Sequence, residues 1–390
     1  MANRSHFHLF ALVWLLALNL RSTTVAISPL LPFIRSDYHL SFSFAGALAS
    51  LPLLCLGLAA IPGALMANRA GARSLIGIGL AGVAVGGLLR IVPHTLFALF
   101  LGTFLLSISG ALAQPAVASL LRNWFGRGTQ QASANYTLAI NLGALVATSG
   151  TGYLLIFGGW RGALLIWAVP PLIVMPIWFL FAPAVTAHSE APKHMQALLA
   201  DGRLWTSAAL FGAQSIVYIT AISWLPFIFE REGAQFVSLV LLVLGVAAVP
   251  CGILLTITRF PFATSRTFHV VTGSIMLVGT VGFALDFRSA VWVLALLLGI
   301  GCALAFTAAI ALPSLLAERE GDVASYSGLV FTGGYAISFI GPLVSGALLD
   351  RTGLISSTFW PAIIASIVTI VLGATIQSGR VSSANATVLS

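Results

Sequence analysis

Charge is scarce in this chain. Acidic and basic residues make up 7% of its 390 positions, against about a quarter in an ordinary soluble domain, so a water-exposed globular surface is excluded and lipid is left as the solvent. Lysine occurs once, as Lys193. The net charge of +8 and pI near 10.1 would suit a nucleic-acid binder, but the arginines stand singly or in pairs between apolar stretches, with no basic run to follow a phosphate backbone. No glycine-rich loop ending in lysine and serine or threonine exists to cradle a nucleotide, so ATP is not the driver. The three cysteines, Cys55, Cys251 and Cys302, are far apart in apolar stretches, which excludes metal or redox spacing and points to helix packing. The Asn135, Tyr136, Thr137 sequon falls inside an expected helix and is read as chance. A membrane-embedded enzyme would need clustered His, Asp, Glu or Cys, and none appears; no cofactor or metal is expected.

What is abundant is apolar length. Hydrophobic residues are 59% of the chain and the mean hydropathy is +1.03. Apolar runs of about twenty residues, enough to cross a bilayer, recur between short polar breaks. They predict twelve transmembrane helices near 8–33, 42–66, 74–92, 96–121, 133–156, 160–182, 205–229, 236–257, 266–285, 289–314, 326–348 and 355–377. The first is too long for a cleaved signal peptide and carries Arg21, so it is read as a retained helix. The longest polar break, Pro183 to Arg203, divides the chain into an N-terminal six-helix half (1–182), a cytoplasmic linker (183–204) and a C-terminal six-helix half (205–390).

The halves show a faint internal likeness. Ala132 and Ser133 stand before Gly150 as Ala324 and Ser325 stand before Pro342, and the fourth and tenth helices each carry a late proline, Pro115 and Pro313. Two related halves with a site between them are what alternating access requires. With the N-terminus inside, eleven basic residues (Arg4, Arg69, Arg73, Arg122, Arg127, Lys193, Arg203, Arg259, Arg266, Arg319 and Arg380) face the cytoplasm. Six (Arg35, Arg90, Arg161, Arg231, Arg288 and Arg351) lie outside. That excess places both termini in the cytoplasm of a multi-pass inner-membrane protein.

Several short motifs occur in order. The first two helices carry Asn19, Leu20 and Arg21, then Pro29 to Pro32 with Ile34 and Arg35, then Leu40 and Ser41, Ser50 to Leu53, and Gly57. The seventh carries Gln214, Ser215, Tyr218 and Trp224 to Pro226; the eleventh carries Gly334, Tyr335, Gly341, Pro342, Gly346 and Asp350, followed by Thr352 and Gly353. Together they resemble the major facilitator superfamily, in the branch of cyanate permeases and 2-nitroimidazole transporters. The resemblance covers essentially the whole chain. It implies an all-α membrane protein of two pseudo-symmetric six-helix halves, and a cavity lined by helices one, four, seven and ten. The superfamily's loop between helices two and three is altered here: Asn68 stands at its acidic place and Ala72 at one basic place, while Arg69, Gly71 and Arg73 remain. Arg69 and Arg73 therefore serve either gating or inside-positive topology.

Arg21 is the outstanding position. Thirteen residues into the first apolar stretch, it is roughly 20 Å deep at about 1.5 Å per residue. A cation there costs at least about 2.5–3.5 kcal/mol and needs a partner or a wet cavity. All ten acids (Asp37, Glu190, Asp201, Glu230, Glu232, Asp286, Glu318, Glu320, Asp322 and Asp350) lie outside the expected helix cores. Arg21 is thus held by backbone carbonyls and water or serves an anionic substrate, for which its planar fork is suited.

Other polar residues at similar depth are Asn19 and Thr23, Gln114, Asn141, Tyr335, and the pair Gln214 and Tyr218, four apart on one face; Trp224 is further out. The lining expected from the resemblance favours Gln114, Gln214 and Tyr218, with Phe306 and Thr307 from the tenth helix. Asp350, Thr352 and Gly353 read as a helix cap and turn.

The reading is a monomeric secondary transporter of a small, anionic, cyanate-like solute, with Arg21, Asn19, Gln114, Gln214, Tyr218 and Trp224 binding substrate and Arg69 and Arg73 gating. The alternative is an exporter of a small heterocycle such as a 2-nitroimidazole. Lipid and substrate are the partners; neither nucleic acid nor nucleotide is. Proton-coupled pumps usually carry membrane-buried acids, and none is visible; His269, near the end of its helix, is the remaining candidate proton site.

Overall fold

A computed structural model describes residues 2–183, 198–251, 262–316 and 323–376. The expected linker is therefore largely outside the described residues, as are Lys193 and Arg380. Twelve helices are long and apolar enough to cross a membrane, and each overlaps one of the twelve expected runs. The α-helices are α1 (Ala2–Val25), α2 (Leu31–Tyr38), α3 (Phe42–Ala70), α4 (Ala72–Leu89), α5 (Leu96–Phe125), α6 (Thr129–Gly150) and α7 (Gly159–Phe181). The second half contributes α8 (Gly202–Ile228), α9 (Ala234–Val246), α10 (Arg266–Ala284), α11 (Val291–Leu316), α12 (Val323–Thr352) and α13 (Trp360–Thr375).

The first span, His8–Tyr38, is α1 and α2 joined through a break. Proline causes it. Pro29 has no N–H to give to the carbonyl of Val25, the last residue of α1, and the chain restarts as a short 3-10 turn at Ser28–Leu30. Most helix hydroxyls bond the carbonyl four residues back, as Ser50 does to Gly46 at 2.8 Å and Ser366 to Ala362 at 2.8 Å, so they stay satisfied without water. The cysteines Cys55, Cys251 and Cys302 are buried and unbridged.

Burial differs between the two ends of the bundle. The end where α1 starts and α13 finishes is here called the terminal end, and the opposite one the distal end. At the distal end one apolar core takes residues from both halves: Ile27, Leu31 and Leu48 with Val217, Trp224 and Val240. At the terminal end the cores are separate. One draws only on the first half, including Leu16, Leu80 and Trp178, and two only on the second, around Tyr326 and around Leu312. The molecule is sealed between its halves at one end and divided at the other.

Glycine makes that seal close. A Cβ at Gly46 of α3 would overlap the Pro342 carbonyl of α12, and one at Gly346 of α12 would overlap the Phe42 carbonyl of α3. The two backbones touch with no side chain between them.

Candidate functional site

Arg21 lies near the middle of the first span, seven residues before the restart at Ser28, and its side chain is partly buried. Among the described residues it forms no ion pair; the pairs there are Arg161–Asp37, Arg288–Glu232 and Arg288–Asp286 at the distal surface. Its guanidinium is instead within electrostatic reach of three tyrosines, Tyr136 on α6, Tyr218 on α8 and Tyr335 on α12. Those tyrosines come from one helix of the first half and two of the second. The Tyr136 hydroxyl is buried and has no hydrogen-bond partner among the described residues. Phe211 closes one side, its ring edge-on to Tyr335 at 5.0 Å and 6.0 Å from Phe306.

A guanidinium beside phenol hydroxyls offers several donors to one small acceptor, and charge-assisted hydrogen bonds are about twice as strong as neutral ones. Three phenol side chains in electrostatic reach of the cation suit something small. No acid is present among them to compete for the cation.

The other sequence candidates fall in different places. Gln214 is buried one turn before Tyr218 on the same face of α8, and its side-chain oxygen accepts from Ser215 Oγ at 3.2 Å. Asn19 is buried, and its amide donates to its own helix at Leu15 O, 2.6 Å away. Thr23, one turn on, bonds Trp167 O of α7 at 3.1 Å, so this face of α1 meets α7. Two residues along a helix is about 200° of rotation, which turns Arg21 to the opposite face from Asn19. Gln114 is exposed on α5 and Asn141 partly buried on α6. Trp224 is fully buried six residues beyond Tyr218, about 9 Å along the helix. It packs between Phe42 at 6.3 Å and Phe227 at 5.2 Å, inside the distal seal and not beside Arg21. Thr307 bonds its own helix at Ala303 O, 2.9 Å. His269 is buried at the terminal end against the Ala263 carbonyl at 2.7 Å.

Arg69 is exposed. Arg73 donates to the Phe179 carbonyl, and the Trp178 indole donates to Arg73 O at 2.9 Å; both contacts tie α4 to α7 within the first half. The side chain of Asn68 is not among the described ones. Arg90, expected on the outer side, is 1% exposed and donates to the Thr23 carbonyl at 2.8 Å.

Asp350 does more than cap its own helix end. Its carboxylate accepts the Phe42 and Ser43 N–H groups at 2.9 and 2.7 Å and the Ser43 hydroxyl at 2.5 Å. With Ser41 accepting the Phe44 N–H at 3.3 Å, three otherwise orphan donors at the start of α3 are satisfied, two of them from the opposite half. Thr352 keeps the local turn, accepting from Leu354 N at 3.2 Å. Arg35 stacks on Phe42 at 3.7 Å and covers the same seal.

Tyr136 was hidden from the sequence reading inside a triplet that looks like a sequon, and Tyr335 lay on a helix outside the expected lining. Scarcity was the available signal. The chain has six tyrosines, and three are within electrostatic reach of Arg21.

Known proteins share this architecture. The chain superposes on the D-xylose–proton symporter with a TM-score of 0.79 at 14% identity, covering 95% of this chain and 98% of that one. It also superposes on a bacterial homolog of the human lysosomal transporter Spinster, in an inward-facing and unoccupied conformation, with a TM-score of 0.73 at 17% identity over 95% and 96% of the two chains. In sequence it is 27% identical over 387 residues to the uncharacterized transporter YycB of Bacillus subtilis (strain 168), covering 96% of this chain and 94% of that protein. It is 26% identical over 364 residues to the 2-nitroimidazole transporter of Escherichia coli (strain K12), covering 90% and 91%. The cyanate transport protein CynX of the same strain is 27% identical over 350 residues, covering 87% and 89%. The Major Facilitator Superfamily profile matches residues 10–285. Twelve spans, two facing halves and this match over most of its length agree that the chain belongs to the major facilitator superfamily and is a transporter of small solutes, not an enzyme.

Proposed function

We propose that the solute is a small, cyanate-like anion, bound by Arg21 at the meeting of the two halves and exchanged between the faces of a bacterial inner membrane by alternating access. The observation that carries this reading is a mid-span cation with no ion pair among the described residues and with Tyr136, Tyr218 and Tyr335 in its electrostatic reach. CynX, one of the relatives, supports the substrate class by its name. The division into 1–182, 183–204 and 205–390, a monomeric state, and cytoplasmic termini belong to the same proposal. In that orientation the distal seal is periplasmic, and the described conformation faces inward. Gating then rests on the seal around Asp350, Phe42 and Trp224, with Arg69 and Arg73 at the cytoplasmic end.

Inward movement of a monovalent anion against an inside-negative potential costs about 2.3 kcal/mol per 100 mV, so uptake requires a co-transported cation, a counter-anion or the neutral acid, whereas export runs downhill. The second reading is export of a 2-nitroimidazole. The tyrosine and phenylalanine rings around Arg21 favour a flat heterocycle whose nitro group meets the guanidinium, and one relative bears that name.

A thermal-shift screen of purified protein against small anions and nitroheterocycles separates the two. Cyanate should raise the melting temperature of the wild type and leave Arg21→Ala unmoved. A shift by 2-nitroimidazole alone would move the assignment to the second reading, and an equal cyanate shift in Arg21→Ala would remove Arg21 from the site.

A further inference from the structure

Arg90 is a fully buried cation that the proposed transport function does not use. It follows the last residue of α4 and is 1% exposed. No carboxylate pairs with it among the described residues. Its Nη1 donates to the Thr23 carbonyl at 2.8 Å, while Nε and Nη2 have no partner there.

The position of that single bond matters. Thr23 is in the last turn of α1, where carbonyls run out of helical N–H partners. The Ala26 N–H still reaches Ser22 O at 3.0 Å, and no bond from Ile27 to Thr23 follows it. The Thr23 carbonyl is taken by Arg90 from another helix. A cation also suits the negative end of the α1 dipole. The contact is held tightly. A Cβ on Gly102 of α5 would come within 3.0 Å of Arg90 Cγ, and a Cβ on Gly87 would meet Ala168 of α7 at 2.9 Å and the Thr23 methyl at 3.8 Å. Arg90, packed against α5, therefore fastens the broken end of α1 to the end of α4, two residues from Arg21.

We infer that Arg90 is a positioning residue for the binding cation: it caps the interrupted end of α1 at the Thr23 carbonyl and so fixes where Arg21 stands, without itself touching substrate. The link to substrate rests on the proposal that Arg21 binds the anion. A mere strut would serve stability alone; a positioning residue changes affinity when its donor is lost and restores it when a donor is returned.

The test uses the full-length purified protein as wild type, Arg90→Met, Arg90→Lys and Arg21→Gln. Methionine keeps the unbranched stem, and lysine keeps charge and one donor. Two quantities are read on each: hydrogen exchange of residues 22–30, and cyanate binding. Arg90→Met should speed exchange in that segment at least about tenfold while α10 keeps its wild-type rate, and should weaken cyanate binding about tenfold. Arg90→Lys should return both to within about threefold of wild type. Wild-type exchange and affinity in Arg90→Met would overturn the inference, as would faster exchange with unchanged affinity in a protein whose Arg21→Gln variant has lost binding. Cyanate binding unchanged in Arg21→Gln would instead remove the anion site, and the exchange result would still decide whether Arg90 caps α1. If Arg90→Met does not fold, Arg90→Lys decides: affinity reduced a hundredfold with wild-type exchange would contradict the inference.

Discussion

At the scale of single residues, the site combines a cation without an ion pair, Arg21, and a buried hydroxyl without a hydrogen bond, that of Tyr136, among the described residues. Both are costly in a low-dielectric interior unless a ligand completes them. Tyr136→Phe removes only the hydroxyl. It should weaken cyanate binding by about three- to tenfold, the worth of one hydrogen bond, and leave the melting temperature unchanged or slightly raised. Isothermal titration with parallel melting curves measures this; wild-type affinity would take Tyr136 out of the site. Gln214→Ala, one turn from Tyr218, should likewise reduce affinity more than folded yield. A collapse of yield with normal binding in the surviving protein would make Gln214 structural.

Arg21 was legible because a lone cation at that depth needs an explanation whatever the fold. Tyr136 was not, and Tyr335 was noted only for its depth, because which face of a long apolar helix turns inward is decided by packing against neighbours. Asn19 shows the same limit in reverse. Adjacency in sequence suggested partnership with Arg21, but two helical residues face nearly opposite ways, and Asn19 bonds its own backbone.

At the scale of elements, the contact between α3 and α12 is the part most directly tied to motion. Its residues were read from sequence as a cap and a scatter of glycines. That Asp350 reaches across to the start of α3 depends on the two halves meeting, which no local pattern encodes. An anion at a helix N-terminus stabilises by about 0.3–1 kcal/mol, so losing it changes an open-to-closed ratio by up to about fivefold. Asp350→Asn should therefore open the distal end more often. With the native cysteines replaced by alanine and Phe227→Cys introduced, labelling by an impermeant maleimide should speed by two- to fivefold. An unchanged rate would show that Asp350 bears no share of the seal. Gly46→Val should act more severely. Its side chain would overlap the Pro342 carbonyl, so the distal end cannot close as described, and the same cysteine should react at a rate close to full exposure.

At the scale of the whole molecule, the twelve spans were legible almost to their ends, because lipid demands about twenty apolar residues and the chain has little else. Arg90 is the exception that composition concealed. Counted by side alone with the outer basic residues, it is in fact buried. Both termini and the 183–204 segment should be cytoplasmic. Reporter fusions at Lys193 and Arg380 check this, and a periplasmic signal from either would invert the orientation and make the sealed end cytoplasmic.

The central claim is that Arg21 selects a small anion, and counterflow in proteoliposomes tests it most directly. Vesicles loaded with unlabelled cyanate and holding the wild-type protein should accumulate labelled cyanate transiently. Arg21→Lys should do so more weakly, since it keeps the charge and loses the fork. Arg21→Gln, at an unchanged melting temperature, should lower the initial rate by about ten- to a hundredfold, the worth of a hydrogen bond to a charged group. Counterflow at the wild-type rate in Arg21→Gln would contradict the account.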